Sequence, residues 1–164
     1  MTSTKRPYTG LKVKPVRGKQ AGTEYLVRAL IKYSDKKLSN LGTFQIRKMR
    51  GKSFISVHAR GTAADIGWTS RTVAEEWMTA LVEFADELGL EAIIDYHPAP
   101  HGRGWRCDRA KWQKYTKKTV EGAPSGRWFH VEVSVEMGSS EEKMRAAFHQ
   151  LLDWKKQQST TPTE

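Results

Sequence analysis

Residues 56–65 read SVHARGTAAD and place a histidine, His58, seven residues before an aspartate, Asp65. Gly61 stands between them, and glycine permits the tight backbone turn that would let the two side chains converge. Imidazole nitrogen and carboxylate oxygen are usual ligands of catalytic zinc, which takes three protein ligands and keeps one position for water. The stretch therefore indicates either two-thirds of a metal site or an exposed histidine beside an ordinary turn aspartate. A third ligand elsewhere in the chain would decide between these interpretations.

The segment WFHVEVSVE, residues 128–136, supplies the best candidate for that third ligand. Its apolar residues alternate with polar ones, which predicts a strand with one buried face and one polar face. His130 lies on the polar face of this predicted strand, together with Glu132. We therefore expect His130 to join His58 and Asp65.

The stretch 56–65 fills every fixed position of the pattern S-x-H-x-x-G-x-A-x-D. This pattern resembles the signature of the D-alanyl-D-alanine carboxypeptidase and dipeptidase family of zinc peptidases. That family includes phage endolysins that cut peptidoglycan stem peptides, and it shares its fold with the Hedgehog signalling domain. WFHVE at 128–132 is similar to the family's W-H-x-E strand, lengthened by one residue, and GRGWRCDRAKW at 102–112 resembles phage proteins of this type. The resemblance covers about residues 45–136.

The resemblance implies a Zn²⁺ cofactor and a set of roles for individual residues. The zinc ligands would be His58, Asp65 and His130. Ser56 and an upstream arginine, Arg47 or Arg50, would hold the substrate or its developing oxyanion. Zinc lowers the pKa of bound water towards ~7 and polarises the scissile carbonyl, while a general base takes the proton from water and hands it to the leaving amine.

The chain departs from the family at the general base. The family usually has an acid three residues before the last zinc histidine, and here that position is Arg127, which stays protonated near neutral pH. One explanation is a base from elsewhere, either Glu132 or a residue of the long connection: His97, His101 or Asp108. A second is a slow enzyme in which Arg127 clamps a substrate carboxylate. A third is a site that binds metal and cell-wall peptide without cutting.

Glu132 has an alternative role as well. It is predicted to share a strand face with His130. An acid there can orient a metal ligand through a hydrogen bond instead of acting on substrate. Cys107, the single cysteine of the chain, is either a fourth ligand, which would make the site structural, or a free thiol. The free thiol is favoured, because a thiolate ligand needs close convergence from a mobile loop.

The order of elements predicts an α+β fold with a small antiparallel sheet flanked by helices, because no regular βαβ repeat is visible. The resemblance adds a Hedgehog-like or D-Ala-D-Ala metallopeptidase-like architecture. Predicted strands are 43–49, 54–58, 90–95 and 128–136, and 25–33 is a strand or a short helix. One helix begins with a capping box at Thr72 and Glu75; another is capped by Ser139 and Glu142 and runs to about Trp154. Residues 97–127 form a long polar connection.

The domain organisation follows from composition. Residues 1–22 carry six Lys/Arg and no acid, which predicts a basic flexible arm. Residues 23–157 are expected to form a single domain, which the resemblance implies is zinc-peptidase-like, and 158–164 are expected to form a polar tail. The formal net charge of +10 favours a polyanionic partner such as a cell wall or nucleic acid.

These observations together predict a zinc metallopeptidase that hydrolyses an amide bond in peptidoglycan stem peptides, in phage-type lysis or cell-wall remodelling. No apolar run reaches the ~20 residues of a membrane span, and no secretory signal is visible. We therefore expect a monomer made in the cytoplasm that acts on the anionic wall after release. One alternative is a catalytically degenerate cell-wall-binding module on the same scaffold. A basic nucleic-acid-binding protein is less favoured, because no recognition helix or aromatic RNA motif is present.

Overall fold

The structure is a computed structural model that describes residues 3–49 and 52–160. The helices are α1 (Ala21–Tyr33), α2 (Arg71–Glu83), α3 (Val135–Ser139) and α4 (Glu141–Thr160), with a short 3₁₀ helix at Val57–Arg60. The strands are β1 (Leu38–Gly42), β2 (Ala63–Trp68), β3 (Leu90–Asp95), β4 (Arg103–Arg106), β5 (Lys111–Lys114) and β6 (Trp128–Val133). No helix in these two ranges is both long enough and apolar enough to cross a bilayer.

The strands form one six-stranded sheet in the order β1-β2-β6-β3-β4-β5. Every neighbouring pair is antiparallel. The predicted α+β class with an antiparallel sheet is therefore confirmed. The sheet order places β6 between β2 and β3, so the strand that carries His130 is interior and is hydrogen-bonded on both edges.

One face of the sheet packs against the long helices. Phe129 and Val131 of β6 belong to the same buried cluster as Leu30 of α1, Leu81 of α2 and Phe148 of α4. The alternation predicted for β6 is therefore observed, with its odd-numbered residues in the core. Because successive side chains of a strand point to opposite faces, the even-numbered residues point away from the helices. This leaves the second face of β6 free to build a site.

The ambiguous run 25–33 is helical and forms most of α1. Leu26, Val27 and Leu30 are buried on the side that meets the core. Their spacing is that of one helix face. Contact with α4 and with the sheet thus decides between two conformations that the local sequence left open.

The helix ends differ from the prediction by a few residues. The Ser70 hydroxyl accepts the hydrogen bond from the Val73 N–H, so α2 is capped two residues before the predicted box. Likewise Ser140, rather than Ser139, accepts from the Lys143 N–H at the start of α4 (3.2 Å). α4 continues to Thr160 and takes in the first part of the predicted tail 158–164, because Lys and Gln are good helix formers. Residues 161–164 of that tail lie outside the described ranges.

The predicted strands 43–49 and 54–58 are wrong. A single antiparallel bridge, Lys48 to Ile55, joins the two segments, and the second ends in the 3₁₀ helix. Ile46 is 63% exposed and Phe54 is 60% exposed, so no facing strand or helix covers them. β1 was missed, and the connection 97–127 contains the β4–β5 hairpin, which pairs Trp105 with Trp112.

The N-terminal segment is packed on the domain where the sequence predicts a flexible arm over 1–22. Arg6 donates to Asp86 (3.0 Å) and to two backbone carbonyls around the start of β3. Thr4 bonds to the same carboxylate. The hydroxyl and cationic side chains of this segment meet acids of the domain, and those contacts make Thr4–Thr9 part of the folded unit. Residues 1–2 lie outside the described ranges.

The core assignment predicts a large difference between two phenylalanines. Phe148 is fully buried and stacks on Trp77 with ring centroids 5.8 Å apart. Phe148→Ala should lower the free energy of unfolding by about 3–5 kcal/mol, measured by urea denaturation. The matched change Phe54→Ala removes a mostly exposed ring and should stay within about 0.5 kcal/mol of the parent. Equal losses for the two variants would contradict this packing.

Candidate metal centre

The pairing of β2 with β6 brings Asp65 directly opposite His130. Side chains of directly opposed residues in antiparallel strands lie on the same face, with Cβ atoms about 4.5–5.5 Å apart. The sheet register therefore places a carboxylate beside an imidazole. His58 comes from the 3₁₀ helix that leads into β2, one turn before the strand.

The turn between His58 and Asp65 depends on Gly61. Gly61 has a φ of 72° and closes the 3₁₀ helix through its N–H, which donates to the His58 carbonyl (3.0 Å). A side chain at Gly61 would also collide with Gln20. Glycine adopts this left-handed conformation without steric cost. At the other end the Ser56 hydroxyl accepts the His58 N–H (3.4 Å), so both ends of the helix hold His58 in place.

The three side chains meet as the motif predicts. His130 Nδ1 lies 2.8 Å from Asp65 Oδ1, and His58 Nε2 lies 3.3 Å from Asp65 Oδ2. One ligand atom from each residue lies within 4.8 Å of the others. Ligand atoms that are each about 2 Å from a zinc ion lie within about 4 Å of one another, so small shifts of these side chains would let them surround an ion. Two imidazoles and one carboxylate are a donor set that suits a divalent transition metal.

Burial and the neighbouring charges shift the pKa values of the ligands in opposite directions. Burial alone would lower the pKa of His130, but hydrogen bonds to Asp65 and Glu132, with the charges of both acids, raise it to about 10. Burial alone would raise the pKa of Asp65, but hydrogen bonds from His130 and His58 hold it well below its usual range. The two carboxylates thus favour the cationic form of His130, which lies between them. A metal cation would take over this positive charge, since a ligating imidazole must give up its proton.

Glu132 lies on the other edge of the His130 ring from Asp65. Its Oε1 is 2.9 Å from His130 Nε2, and its Oε2 accepts a hydrogen bond from the Tyr8 hydroxyl (2.7 Å). Burial alone would raise the pKa of Glu132, but its bond to His130 lowers it. With both oxygens engaged, Glu132 is arranged to fix the ring orientation and leave Nδ1 facing Asp65. The geometry therefore favours orientation over direct base catalysis for this residue.

Arg127 is not brought to the centre. Its guanidinium lies over the Trp68 ring (5.4 Å to the centroid), and its Nη2 donates to the Thr69 carbonyl (3.4 Å). Arg127 precedes β6 in the chain, and both contacts direct its side chain to Trp68 and Thr69. Arg127 therefore does not line the cleft in this structure.

A cleft of about 600 Å³ opens over the three ligands. Ser56 and Arg47, the predicted substrate residues, both line it; Arg50 lies outside the described residues. Tyr96 and Trp128 form part of its wall and stack with ring centroids 3.6 Å apart. Asp65 is 20% exposed, so the centre is open to this cleft.

The other predicted base candidates are held elsewhere. The His97 ring packs against Trp68, and Asp108 pairs with Arg106 (2.6 Å). Neither of them lines the cleft, and His101 does not line it either. Of the candidates named from the sequence, only Glu132 borders this space.

Glu121 and Tyr8 are functional candidates that were not predicted from the sequence. Glu121 lines the cleft, and its ion pair with Lys118 (3.4 Å) is solvent-exposed. One signal was available: Glu121 is the only acid between Asp108 and Glu132. Tyr8 had no comparable signal, because its contact with Glu132 joins residues 124 positions apart.

Comparisons of this chain with family models, with curated proteins and with solved structures found no match. Assignment of the centre therefore depends on the positions of its own side chains.

The geometry predicts that one divalent metal ion binds per chain, and Zn²⁺ is the probe for it. His58→Ala and His130→Ala should each weaken zinc binding by more than about 100-fold, since loss of a ligand should exceed the 10–100-fold effect of losing its hydrogen-bond partner. Competition with a chromophoric chelator measures these affinities. His149 is exposed on α4, and His149→Ala is the matched control that should leave the affinity unchanged. Equal zinc affinities for all three variants would exclude the centre.

Proposed function

We propose that this protein is a zinc-dependent peptidase that hydrolyses an amide bond in peptidoglycan stem peptides. The observation that carries the proposal is a three-membered ligand group, His58, Asp65 and His130, open to a cleft. Catalytic zinc sites use three protein ligands and leave a position for water, whereas structural sites use four. Cys107, the available thiol, is buried in the core with its Sγ 3.8 Å from the Pro7 carbonyl oxygen, so it does not close the group.

The residues around the cleft support a hydrolytic reaction. A zinc ion bound there would supply Lewis acidity and a water of lowered pKa. Glu132 would hold His130 in its ligating orientation. Glu121 would take the proton from the attacking water and return it to the leaving amine. Its ion pair with Lys118 is exposed and therefore weak, which leaves the carboxylate free to turn.

The charge of the cleft supports an anionic peptide substrate. Arg47, Lys52 and Lys118 line the cleft. Among the described residues that line it, Glu121 is the one acid outside the metal centre and Glu132. Stem peptides present free carboxylates, which cationic side chains bind. The volume of about 600 Å³ falls in the usual range for small-molecule sites. The net charge of +10 favours approach to an anionic wall, which suits a phage-type lysis or wall-remodelling role.

A second candidate function is a cell-wall-binding module that holds metal but does not cut. The observation in its favour is the absence of an acid three residues before His130, where Arg127 packs on Trp68. Glu132 does not take the place of this acid, because both of its carboxylate oxygens are already hydrogen-bonded, one to His130 and one to Tyr8. The two functions then differ in whether Glu121 acts as a base.

Peptidase activity predicts that the zinc-loaded protein clears a suspension of purified cell walls and releases new amino or carboxyl ends. A chelator should abolish the loss of turbidity, and added zinc should restore it. His58→Ala should be inactive because it removes a ligand. Metal-dependent binding to walls with no release of new ends would support the binding module instead.

Glu121→Gln tests which residue is the base of the peptidase reaction. As general-base catalysis is typically worth 10²–10⁴ in rate, this variant should lose about that factor in kcat while its zinc affinity stays unchanged. Glu142, which is exposed on α4, provides the matched control, and Glu142→Gln should retain full activity. Arg127→Ala should also retain activity, because its side chain lies on Trp68. Full activity in Glu121→Gln would rule out this residue as the base.

A further inference from the structure

We infer that Tyr8, in the N-terminal segment, is a positioning residue for the metal centre that acts through Glu132 on the orientation of His130. Tyr8 contacts none of the three ligands by hydrogen bond and does not line the cleft. Any effect of Tyr8 on metal binding must therefore pass through the residue between them. The inference rests on the proposed function in one respect, namely that the centre binds metal.

A continuous chain of hydrogen bonds links Tyr8 to the ligand group. The Tyr8 hydroxyl donates to Glu132 Oε2 (2.7 Å), Glu132 Oε1 lies 2.9 Å from His130 Nε2, and His130 Nδ1 lies 2.8 Å from Asp65 Oδ1. Each oxygen of Glu132 has one of these partners. The carboxylate is therefore held at two points, and rotation about its terminal bond would break one hydrogen bond or the other.

Tyr8 provides a contact that the sheet does not. The residues paired with Glu132 on the two neighbouring strands are Ala63 and Ala92, whose side chains have no polar atoms. Glu132 is only 5% exposed, so bulk water does not replace a lost partner. Arg60 is close enough to contribute its charge, but its hydrogen bonds go to other groups. Without the Tyr8 hydroxyl, a buried carboxylate oxygen would lose its protein partner, which is costly.

The chain on both sides of Tyr8 is anchored to the domain. Before it, the Arg6 N–H donates to the Cys107 carbonyl (3.0 Å). After it, the Thr9 hydroxyl donates to Glu91 (2.7 Å). The Tyr8 ring itself lies under the Arg106 guanidinium, 4.6 Å from ring centroid to Cζ. The phenol is therefore fixed in position as well as in hydrogen bonding, as a positioning residue must be.

Burial also keeps the hydroxyl in the donating form. Burial and then the charge of Glu132 raise the pKa of Tyr8 far above its ordinary value. A tyrosine hydroxyl that keeps its proton donates to a carboxylate in a charge-assisted hydrogen bond, which is stronger than a neutral one. Replacement by phenylalanine removes this donor and leaves the ring.

The test is a double-mutant cycle on the full-length chain with Zn²⁺ as the probe. Tyr8→Phe, Glu132→Ala and the double variant are titrated against a chromophoric chelator. Tyr8→Phe should weaken zinc binding about 10-fold, the low end of the effect of losing a ligand's hydrogen-bond partner. In the Glu132→Ala background, Tyr8→Phe should have no further effect, because the residue through which it acts is gone. The absorption spectrum of the Co²⁺-loaded protein should change in Tyr8→Phe.

Tyr25→Phe is the matched control. Tyr25 is a partly buried tyrosine of α1 that packs edge-on against Phe148. The Tyr25→Phe variant should leave both the zinc affinity and the Co²⁺ spectrum unchanged. Arg106→Ala removes the cation over the Tyr8 ring but keeps the hydroxyl, and it serves as a second variant if Tyr8→Phe does not fold. Arg106→Ala should weaken zinc binding in the wild-type background and have no further effect in the Glu132→Ala background.

The outcomes distinguish this inference from the proposed function. If Tyr8→Phe weakens zinc binding equally with and without Glu132, or not at all, Tyr8 has only a structural role and the inference is overturned. The proposed function survives that result when the wild-type chain binds zinc and cuts walls in the same experiments. If the wild-type chain binds no zinc, the proposed function and this inference fail together.

Discussion

The hydrogen-bonded pairing of β2 with β6 is the constraint on which the candidate site depends. This register sets Asp65 opposite His130, and so it positions two of the three ligands. It also sets Ala63 opposite Glu132, and the small alanine leaves space for the Glu132 carboxylate. A slip of one residue would turn Asp65 towards the core, because side chains alternate between faces. The apolar residues of β6 that pack under the helices therefore fix the site as well as the core.

The same pairing creates an electrostatic requirement that the rest of the domain meets. A buried carboxylate is tolerated only if it is hydrogen-bonded or paired. Glu132 satisfies this through His130 and Tyr8, and Glu91 through Arg60 and Thr9. In both cases the last partner comes from the N-terminal segment. This explains why a segment with no regular secondary structure belongs to the folded unit.

The sequence was informative where local rules apply. Strict alternation located β6 and put His130 and Glu132 on one face, and the spacing around Gly61 located His58 and Asp65. These inferences need only periodicity and turn chemistry.

Other features of the site and the fold could not be predicted from local sequence patterns. Tyr8 reaches Glu132 across 124 positions, and Glu121 borders the cleft from a connection without regular structure. Such contacts are set by the path of the chain through space, which no local period records. The strand predictions for 43–49 and 54–58 were wrong for the opposite reason. Their composition suits strands, but no neighbouring strand pairs with them beyond one bridge, and a strand needs a partner.

The position of Arg127 bears on how a base could be supplied. In the proposed reaction the ligands come from the sheet and its adjoining turn, where the register fixes their distances. Glu121 comes instead from the connection before β6, nine residues ahead of His130. A base on this connection is not tied to the strand period, so the residue at 127 is free to serve packing on Trp68. In the proposed reaction, the absence of an acid at position 127 therefore does not entail absence of hydrolysis, provided that a carboxylate from the connection reaches the water.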